Sequence, residues 1–245
     1  MVTKKQMKIV KNLLQKKYRI EYGLFAVEGI KIVNELLSEG FDPYLILSDS
    51  AKIADFIDSQ VQVIPFEELK KASNLHKSNG VIGVFKIPEI EPLIDSDWVL
   101  ALDAVRDPGN LGTIIRLCDW FGIRQLVCSE DTVDCYNPKV LQATMGSIAR
   151  VKIQYTDLRV FLEKCSQPVF GTYMQGENIY QINIPEKGIL VLGNEASGIS
   201  QEITAIIEKR MTIPQFGEQT TESLNVATAA SIVLSEIRRI ALIQK

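Results

Sequence analysis

Three loops, each placed between an apolar stretch and a predicted helix, restrict the fold of this 245-residue chain more than any other feature. Open α/β sheets place their ligands in the crevice at the carboxyl ends of their parallel strands. The three loops therefore predict one composite site at one edge of such a sheet. They lie in residues 107–116 (DPGNLGTIIR), 190–198 (LVLGNEASG) and 213–226 (IPQFGEQTTESLNV).

The pattern of helix and strand signals predicts two domains joined by a linker. Signals of both kinds alternate over the first 86 residues, including a helix at 51–57, which indicates a small α/β domain. Residues 87–97 contain two prolines and four acidic residues and form the predicted linker. The second part opens with the apolar run 98–102, which is typical of a buried parallel strand. Its further strands are predicted at 125–128, 151–155, 168–172, 188–193 and 210–213, and its helices at 110–121, 138–148, 157–165, 200–208 and 224–242.

Charge is unevenly distributed along the chain. The formal net charge is −3, with 46% hydrophobic and 23% charged residues, which favours a well-packed protein over a disordered one. The first 20 residues nevertheless carry seven positive charges and no negative one, on a segment with helical apolar spacing. This segment is either a solvated helix face or a surface that neutralises RNA phosphates. Its basic residues are Lys4, Lys5, Lys8, Lys11, Lys16, Lys17 and Arg19.

Several classes of protein are disfavoured by what the chain contains. No apolar run approaches the roughly 18 residues that a membrane-spanning helix needs. The four cysteines form no C-x-x-C pair, so neither a zinc site nor a disulfide scaffold is expected, and reduced thiols in a cytoplasmic protein are the simplest account. Cys118 and Cys128 lie in apolar stretches and are expected in the core. His76 is the single histidine, in a predicted loop, which argues against histidine-centred hydrolysis and against metalloprotease chemistry.

The loop residues also have ordinary structural interpretations. The glycine-rich segment 193–198 is not a phosphate-binding P-loop, because Ile199 stands where that motif needs lysine. It could be a simple turn after a strand, and Glu195 could be a charge partner of a helix N-terminus. Ser223 could cap the last helix, a role we expect it to combine with facing the substrate. Arg116 could be an ordinary salt-bridging helix residue.

Taken together, the three segments resemble the signature motifs of the SpoU (TrmH-like) branch of the SPOUT methyltransferases, over residues 98–242. The turn at Phe25, Glu28 and Gly29 resembles the ribosomal-protein-like domain that precedes many of these enzymes. The resemblance implies an α/β protein with a SpoU-type SPOUT methyltransferase domain at 97–245, folded as a trefoil knot. A small ribosomal-protein-like α/β domain at 1–90 would bind the RNA substrate. The knot is implied by the resemblance alone.

The resemblance further implies a methyl transfer from S-adenosylmethionine to a ribose 2′-hydroxyl of rRNA or tRNA. The N-terminal domain favours rRNA. Arg116 is expected to position the RNA and stabilise charge, while the proton acceptor stays open between Arg116, Glu195 and phosphate or water. The implied catalytic residues are Asn110, Arg116, Glu195, Ser223 and Asn225. The implied cofactor contacts, largely through backbone groups, are Leu192, Gly193, Ile213 and Leu224.

The same resemblance implies a cytoplasmic homodimer with no metal and no membrane association. The apolar surplus of helix 224–242 supports a second copy as partner. Two departures from the family pattern are Ala227, where many relatives have serine, and a slightly long acidic loop at 217–222. Two rivals remain: a non-catalytic RNA-binding or ribosome-assembly factor of the same fold, and an unrelated α/β nucleotide enzyme. The intact site residues argue against the first, and the missing phosphate loops argue against the second.

Overall fold

The computed structural model describes residues 2–50, 61–73, 80–89, 97–217 and 222–243. The predicted helix at 51–57, the loop with His76, most of the predicted linker and part of the acidic loop lie outside these ranges. The chain forms two compact units, residues 1–89 with 134–149, and residues 90–133 with 150–245. In chain order the elements are α1 (Lys4–Asn12), α2 (Lys16–Tyr22), β1 (Leu24–Glu28), α3 (Ile30–Ser38), β2 (Pro43–Ser48), β3 (Val61–Val63), α4 (Phe66–Ala72), β4 (Val81–Lys86), β5 (Val99–Leu102), α5 (Pro108–Trp120), β6 (Gln125–Ser129), α6 (Pro138–Thr144), a 3-10 turn (Ser147–Ala149), β7 (Lys152–Thr156), α7 (Leu158–Lys164), β8 (Val169–Asn178), β9 (Ile189–Leu192), α8 (Gln201–Thr204), β10 (Lys209–Thr212) and α9 (Val226–Ile243).

The first unit is a four-stranded sheet in the order β1-β4-β2-β3. Strand β4 runs antiparallel to both neighbours, and β2 and β3 are parallel. The basic N-terminal segment forms two helices instead of one. Thr3 begins α1 with a reciprocal capping box to Gln6, and α2 ends at Gly23, whose left-handed backbone (φ 62°) favours glycine.

Arg19 does not belong to the exposed basic surface, so its inclusion there was wrong. Its side chain is 3% exposed, and its Nε and Nη2 atoms donate to Asp134 Oδ2 at 2.9 and 2.5 Å. Its Nη1 atom donates to the Leu13 carbonyl at 2.7 Å, in the break between α1 and α2. The six lysines of the segment are all exposed. Spacing alone cannot separate the arginine from them, because its partner lies 115 residues away.

Residues 134–149 belong to the first unit, although in the sequence they come between β6 and β7, two strands of the second unit's sheet. The Tyr136 ring packs against Phe25 with centroids 4.4 Å apart, and Gly146 lies beside the side chain of Glu35. The predicted helix at 138–148 ends early, at Thr144, because Met145 and Gly146 adopt positive φ angles of 53° and 100°. The first unit is therefore built from two separate stretches of chain.

Removing the Arg19 charge should destabilise this unit. Arg19→Met leaves the Asp134 carboxylate, 14% exposed, without its cation, so we expect the free energy of unfolding to fall by about 2–3 kcal/mol. Urea denaturation of the full chain measures this change. Lys8→Met is the matched control on the exposed face of α1 and should change the value by less than about 0.5 kcal/mol. Equal effects of the two substitutions would contradict a structural role for Arg19.

The second unit is a six-stranded, fully parallel sheet in the order β10-β8-β9-β5-β6-β7. The predicted parallel α/β fold is confirmed. Strands β5 and β9 are buried along their whole length, as their continuous apolar runs predict. Cys118 and Cys128 are fully buried, as expected, and burial raises the pKa of the Cys118 thiol. Within the described ranges, no helix has the length and apolar character that crossing a membrane requires.

The strand order places two of the three sequence loops side by side. Strands β6 and β7 extend the sheet on one side of β5, and β9, β8 and β10 extend it on the other. The final residues of β5 and β9, Leu102 and Leu192, are paired. The loops that leave these two strands therefore start together at the point where the strand order reverses, which is where open α/β sheets bind ligands.

Two predicted elements of the second unit differ from the structure. The helix expected at 200–208 is only α8, because the chain leaves it to join the sheet, where Glu208 N donates to the Val169 carbonyl at 3.0 Å. The strand expected at 168–172 continues as β8 to Asn178. Its second half pairs with β10 after an irregularity between Arg210 and Met211. The remaining boundaries agree within two residues, except for helix 138–148.

Candidate active site

The first loop leads from β5 into α5 and fixes Asn110 in the first helical turn. Asp107 caps the helix, since its Oδ1 atom accepts the backbone N–H of Asn110 at 2.8 Å, and Pro108 occupies the first helical position. Proline suits this position because its missing N–H would have no partner there. Ordinary helix-start chemistry therefore fixes the position of Asn110 at the start of α5.

A chain of hydrogen bonds joins all three sequence motifs. The Nδ2 atom of Asn110 donates to Glu195 Oε1 at 2.7 Å, and the Nδ2 atom of Asn225 donates to Asn110 Oδ1 at 2.9 Å. Since each amide both donates and accepts, the network defines which end is oxygen and which is nitrogen. Three of the predicted catalytic residues, from segments as many as 115 residues apart, thus lie in one cluster.

Asn225 also begins the last helix, a role that the sequence interpretation assigned to Ser223. The Oδ1 atom of Asn225 accepts the N–H groups of Ala227 and Thr228 at 2.9 and 3.3 Å, directly before α9. Ser223 is exposed and makes no hydrogen bond with any residue that the structure describes. The capping prediction for Ser223 was wrong, because the helix begins two residues later than its sequence pattern indicated.

The loop that carries Glu195 is held to the end of β5 by groups that the sequence interpretation missed. The Asn194 side chain donates to the Ala104 carbonyl at 2.7 Å and accepts the N–H groups of Ala196 and Ser197. The buried Asp103 carboxylate accepts the Ser200 N–H at 2.7 Å. Asp103 could have been suspected from its place at the end of an apolar strand.

Ala104 supports this loop through an unusual backbone conformation. Its φ angle is 57°, which is uncommon for a residue with a side chain and is often found at functional sites. Its N–H donates to Ser129 Oγ at 2.9 Å, while its carbonyl accepts from Asn194. No sequence signal marks this conformation, because the constraint comes from two side chains that are remote in sequence. They are Ser129, at the end of β6, and Asn194, just after β9.

Arg116 lies outside the network. Its side chain is exposed and forms no ion pair or hydrogen bond within the described ranges, so the salt-bridge interpretation has no support there. A regular helix separates two positions six residues apart by about 9 Å along the axis and about 120° around it. The structure therefore does not bring Arg116 together with Asn110 in one chain.

The residues assigned to the cofactor differ in exposure. Leu192 is fully buried and its carbonyl accepts the Asp103 N–H at 2.9 Å, while Gly193 and Ile213 are half-buried and Leu224 is 47% exposed. A Cβ atom on Gly193 would overlap the backbone of Gly198 and Ile199. This close approach of two backbone segments explains why glycine stands directly after β9.

The described residues contain no group of three or more His, Cys, Asp and Glu side chains arranged to hold a metal ion. The geometry brings together two oriented amides and one carboxylate beside the strand-order reversal, and the third motif also carries the partly exposed apolar residues Ile213 and Leu224. A parallel sheet with a polar cluster at this position is the arrangement of α/β enzymes that bind ligands at the carboxyl ends of their strands.

Comparison with known proteins agrees with this class. The family model "SpoU rRNA Methylase family" matches residues 97–235, and the model "MRM3-like substrate binding domain" matches residues 4–83. The chain belongs to the SpoU methylase family, as predicted. It is 31% identical over 236 residues to the 23S rRNA (guanosine(2553)-2′-O)-methyltransferase RlmP of Bacillus subtilis, covering 93% of this chain and 94% of RlmP.

Solved structures cover nearly the whole chain. A TrmH-family protein from Porphyromonas gingivalis superposes with a TM-score of 0.91 at 36% identity, covering 98% of this chain and 99% of that one. An rRNA methyltransferase from Sinorhizobium meliloti, solved with S-adenosylmethionine bound, superposes with a TM-score of 0.87 at 28% identity, covering 98% and 96%.

Proposed function

We propose that this protein transfers a methyl group from S-adenosylmethionine to a ribose 2′-hydroxyl of 23S rRNA. The observation that carries the proposal is the hydrogen-bonded chain from Asn225 through Asn110 to Glu195, which unites the three motifs at the sheet edge. The B. subtilis relative is named for this reaction on a guanosine of 23S rRNA. A non-catalytic factor would have no need for a polar network that leaves a carboxylate partly free.

The residues present suit S-adenosylmethionine as a cofactor. Gly193 lets two backbone segments approach closely where a Cβ atom would overlap Gly198 and Ile199, and Ile213 and Leu224 offer partly exposed apolar side chains to the cofactor. When bound, the cofactor supplies an electrophilic methyl group on a sulfonium. The proposed contacts are apolar side chains and backbone groups, so this binding requires no metal.

The side chains of the site orient the acceptor and stabilise charge. Asn110 and Asn225 are held in fixed orientation by their mutual hydrogen bond and can position a ribose hydroxyl. Glu195 accepts from Asn110 at Oε1 and, at 3.4 Å, from Asn194 at Oε2, and because further lone pairs remain on the carboxylate we assign it to the hydroxyl proton. We assign Arg116, whose guanidinium can form paired hydrogen bonds with an anion, to a phosphate or to the ribose oxygens. Ser223, exposed beside Asn225, is assigned to substrate contact.

The domain roles and assembly form part of the same proposal. Residues 1–90 serve as the RNA substrate-binding domain, in line with the substrate-binding model at 4–83, and residues 97–245 as a knotted methyltransferase domain. Two copies form a homodimer in the cytoplasm. Helix α9 supports a dimer because Leu242 and Ile243 remain 76% and 70% exposed at its end.

Two measurements test the function. Isothermal titration with S-adenosylmethionine should show binding, which an unrelated nucleotide enzyme would lack. Transfer of radiolabelled methyl groups to bulk rRNA, unmethylated at the target, should be abolished by Asn110→Ala. Binding without transfer would favour the non-catalytic factor, and absence of binding at millimolar cofactor would contradict the assignment altogether.

The exposed lysines of α1 should contribute to RNA affinity. Lys4, Lys8 and Lys11 share one helical stripe, so replacing all three by Ala should weaken RNA binding. The slope of log K against log salt should shrink by about 0.7–0.9 for each phosphate that is no longer neutralised. S-adenosylmethionine affinity should stay unchanged, because that site belongs to the other compact unit.

Filter binding over a salt series measures this slope. Lys86→Ala is the matched control, an exposed lysine of the same unit whose charge is paired with Asp42 at 2.6 Å. If the triple variant keeps its affinity at low salt, the segment is a solvated helix face and nothing more.

A further inference from the structure

Phe216 is the most exposed of the large apolar side chains in the described part of the chain. It is 92% exposed, and no aromatic ring of a described residue packs against it. Most large apolar residues of this unit are buried in the sheet or its helices. An aromatic ring in water contributes little burial to stability, which leaves its faces available to a ligand.

The ring lies on the segment that frames the proposed active site. Phe216 follows Ile213, assigned to the cofactor, by three residues, so their Cα atoms are at most about 11 Å apart. The same segment continues to Asn225, whose amide contacts Asn110. Phe216 therefore lies, along the chain, between two residues that we assign to the site.

The surroundings of Phe216 favour a flat, isolated ligand over a protein surface. Its neighbours along the chain are Gln215 and Gly217, and the exposed Glu222 and Ser223 follow. Protein interfaces are built on contiguous apolar patches, which this segment does not supply. The acidic residues of this segment also disfavour contact with a phosphate, because like charges repel. The face of the Phe216 ring is therefore the group that a ligand would contact.

We propose that Phe216 is a stacking platform for a nucleobase of the substrate RNA next to the methylated nucleotide. This inference rests on the proposed function and adds a specificity-determining contact to it. Bases of single-stranded RNA stack on aromatic side chains, with every base tolerated and larger rings favoured. A purine beside the target ribose is therefore preferred over a pyrimidine.

Fluorescence anisotropy of the full-length protein with labelled 12-nucleotide RNAs tests the proposal. The probes are oligo(rA), oligo(rU) and an abasic ribose-phosphate 12-mer. Phe216→Ala should weaken oligo(rA) binding about tenfold and oligo(rU) binding less. Phe216→Leu, which keeps apolar volume without an aromatic face, should behave like Ala, and Phe216→Trp should bind as the wild type does. Abasic binding and the salt dependence should be the same in all four proteins, since stacking releases no counterions.

Several outcomes would overturn the inference. If Phe216→Leu binds oligo(rA) with wild-type affinity, the contact depends on apolar volume and not on an aromatic face. If Phe216→Ala binds with unchanged affinity, Phe216 makes no contact with the RNA. A shift of the sedimentation coefficient in Phe216→Ala would assign the ring to a protein interface. Methyl transfer to rRNA by the wild type, measured in parallel, separates the two proposals: transfer with unaffected Phe216 variants overturns only the stacking contact, whereas absence of transfer overturns the function.

Discussion

Replacing Arg116 by Ala should lower the turnover of methyl transfer by about 100- to 1,000-fold. The guanidinium is exposed and unpaired within the described ranges, so its loss should not destabilise the fold. It is assigned to charge on the reacting RNA, and such contacts count most in the transition state. S-adenosylmethionine affinity should therefore change less than about twofold, while the rate of single-turnover transfer falls.

Arg159→Ala is the matched control for this experiment. Arg159 is an exposed arginine of the same unit, on α7, paired with Glu163 at 2.9 Å. Its substitution should leave transfer unchanged. A similar loss in both variants would mean that any exposed positive charge of this unit supports the rate, and Arg116 would lose its assigned role.

The separation of Arg116 from the Asn110 network suggests that the reaction uses two chains. If Arg116 acts beside the partner's network, mixing Arg116→Ala with Asn225→Ala should restore part of the activity, since one site of the mixed dimer is intact. Subunit exchange must be demonstrated with two differently tagged chains. An inactive mixed dimer would confine the site to one chain, and a monomer in sedimentation at micromolar concentration would contradict the dimer itself.

Gly193→Ala should remove S-adenosylmethionine binding, with a loss of affinity of at least about 100-fold. The added Cβ would overlap the Gly198 carbonyl carbon and the Ile199 nitrogen, which are backbone atoms and cannot move aside as a side chain can. Two hydrogen bonds between Asn194 and Gly198 hold that backbone in place, as does the Ser200 N–H bond to Asp103. Relief of the overlap must open the loop, at a cost of about 1–3 kcal/mol in stability.

Gly217→Ala provides the control. Among the described residues, no atom lies within 4 Å of a Cβ at that position, and the backbone needs no positive φ. It should leave cofactor affinity and melting temperature close to wild type. Calorimetry and thermal melting of both variants separate a local effect on the site from global unfolding. Retained binding in Gly193→Ala would show that the cofactor does not depend on this loop.

The parallel sheet and the convergence of the three motifs could be predicted from the chain alone. Strands such as 99–102 and 189–192 are apolar at every position, and only a sheet covered on both faces accommodates such runs. Parallel strands bring their carboxyl ends to one edge, so loops after them must meet there. The residue types in those loops then carried the family resemblance, which the comparisons confirmed.

Other features depend on partners that are remote in sequence, and only the tertiary structure decided them. Arg19 is buried because Asp134 lies beside it, and residues 134–149 join the first unit through contacts such as Tyr136 on Phe25. Ala104 is held in a left-handed backbone conformation because the side chains of Ser129 and Asn194 bind its N–H and its carbonyl. Local periodicity and spacing report how a segment buries its own apolar face, and they carry no information on which distant polar group will complete a hydrogen bond.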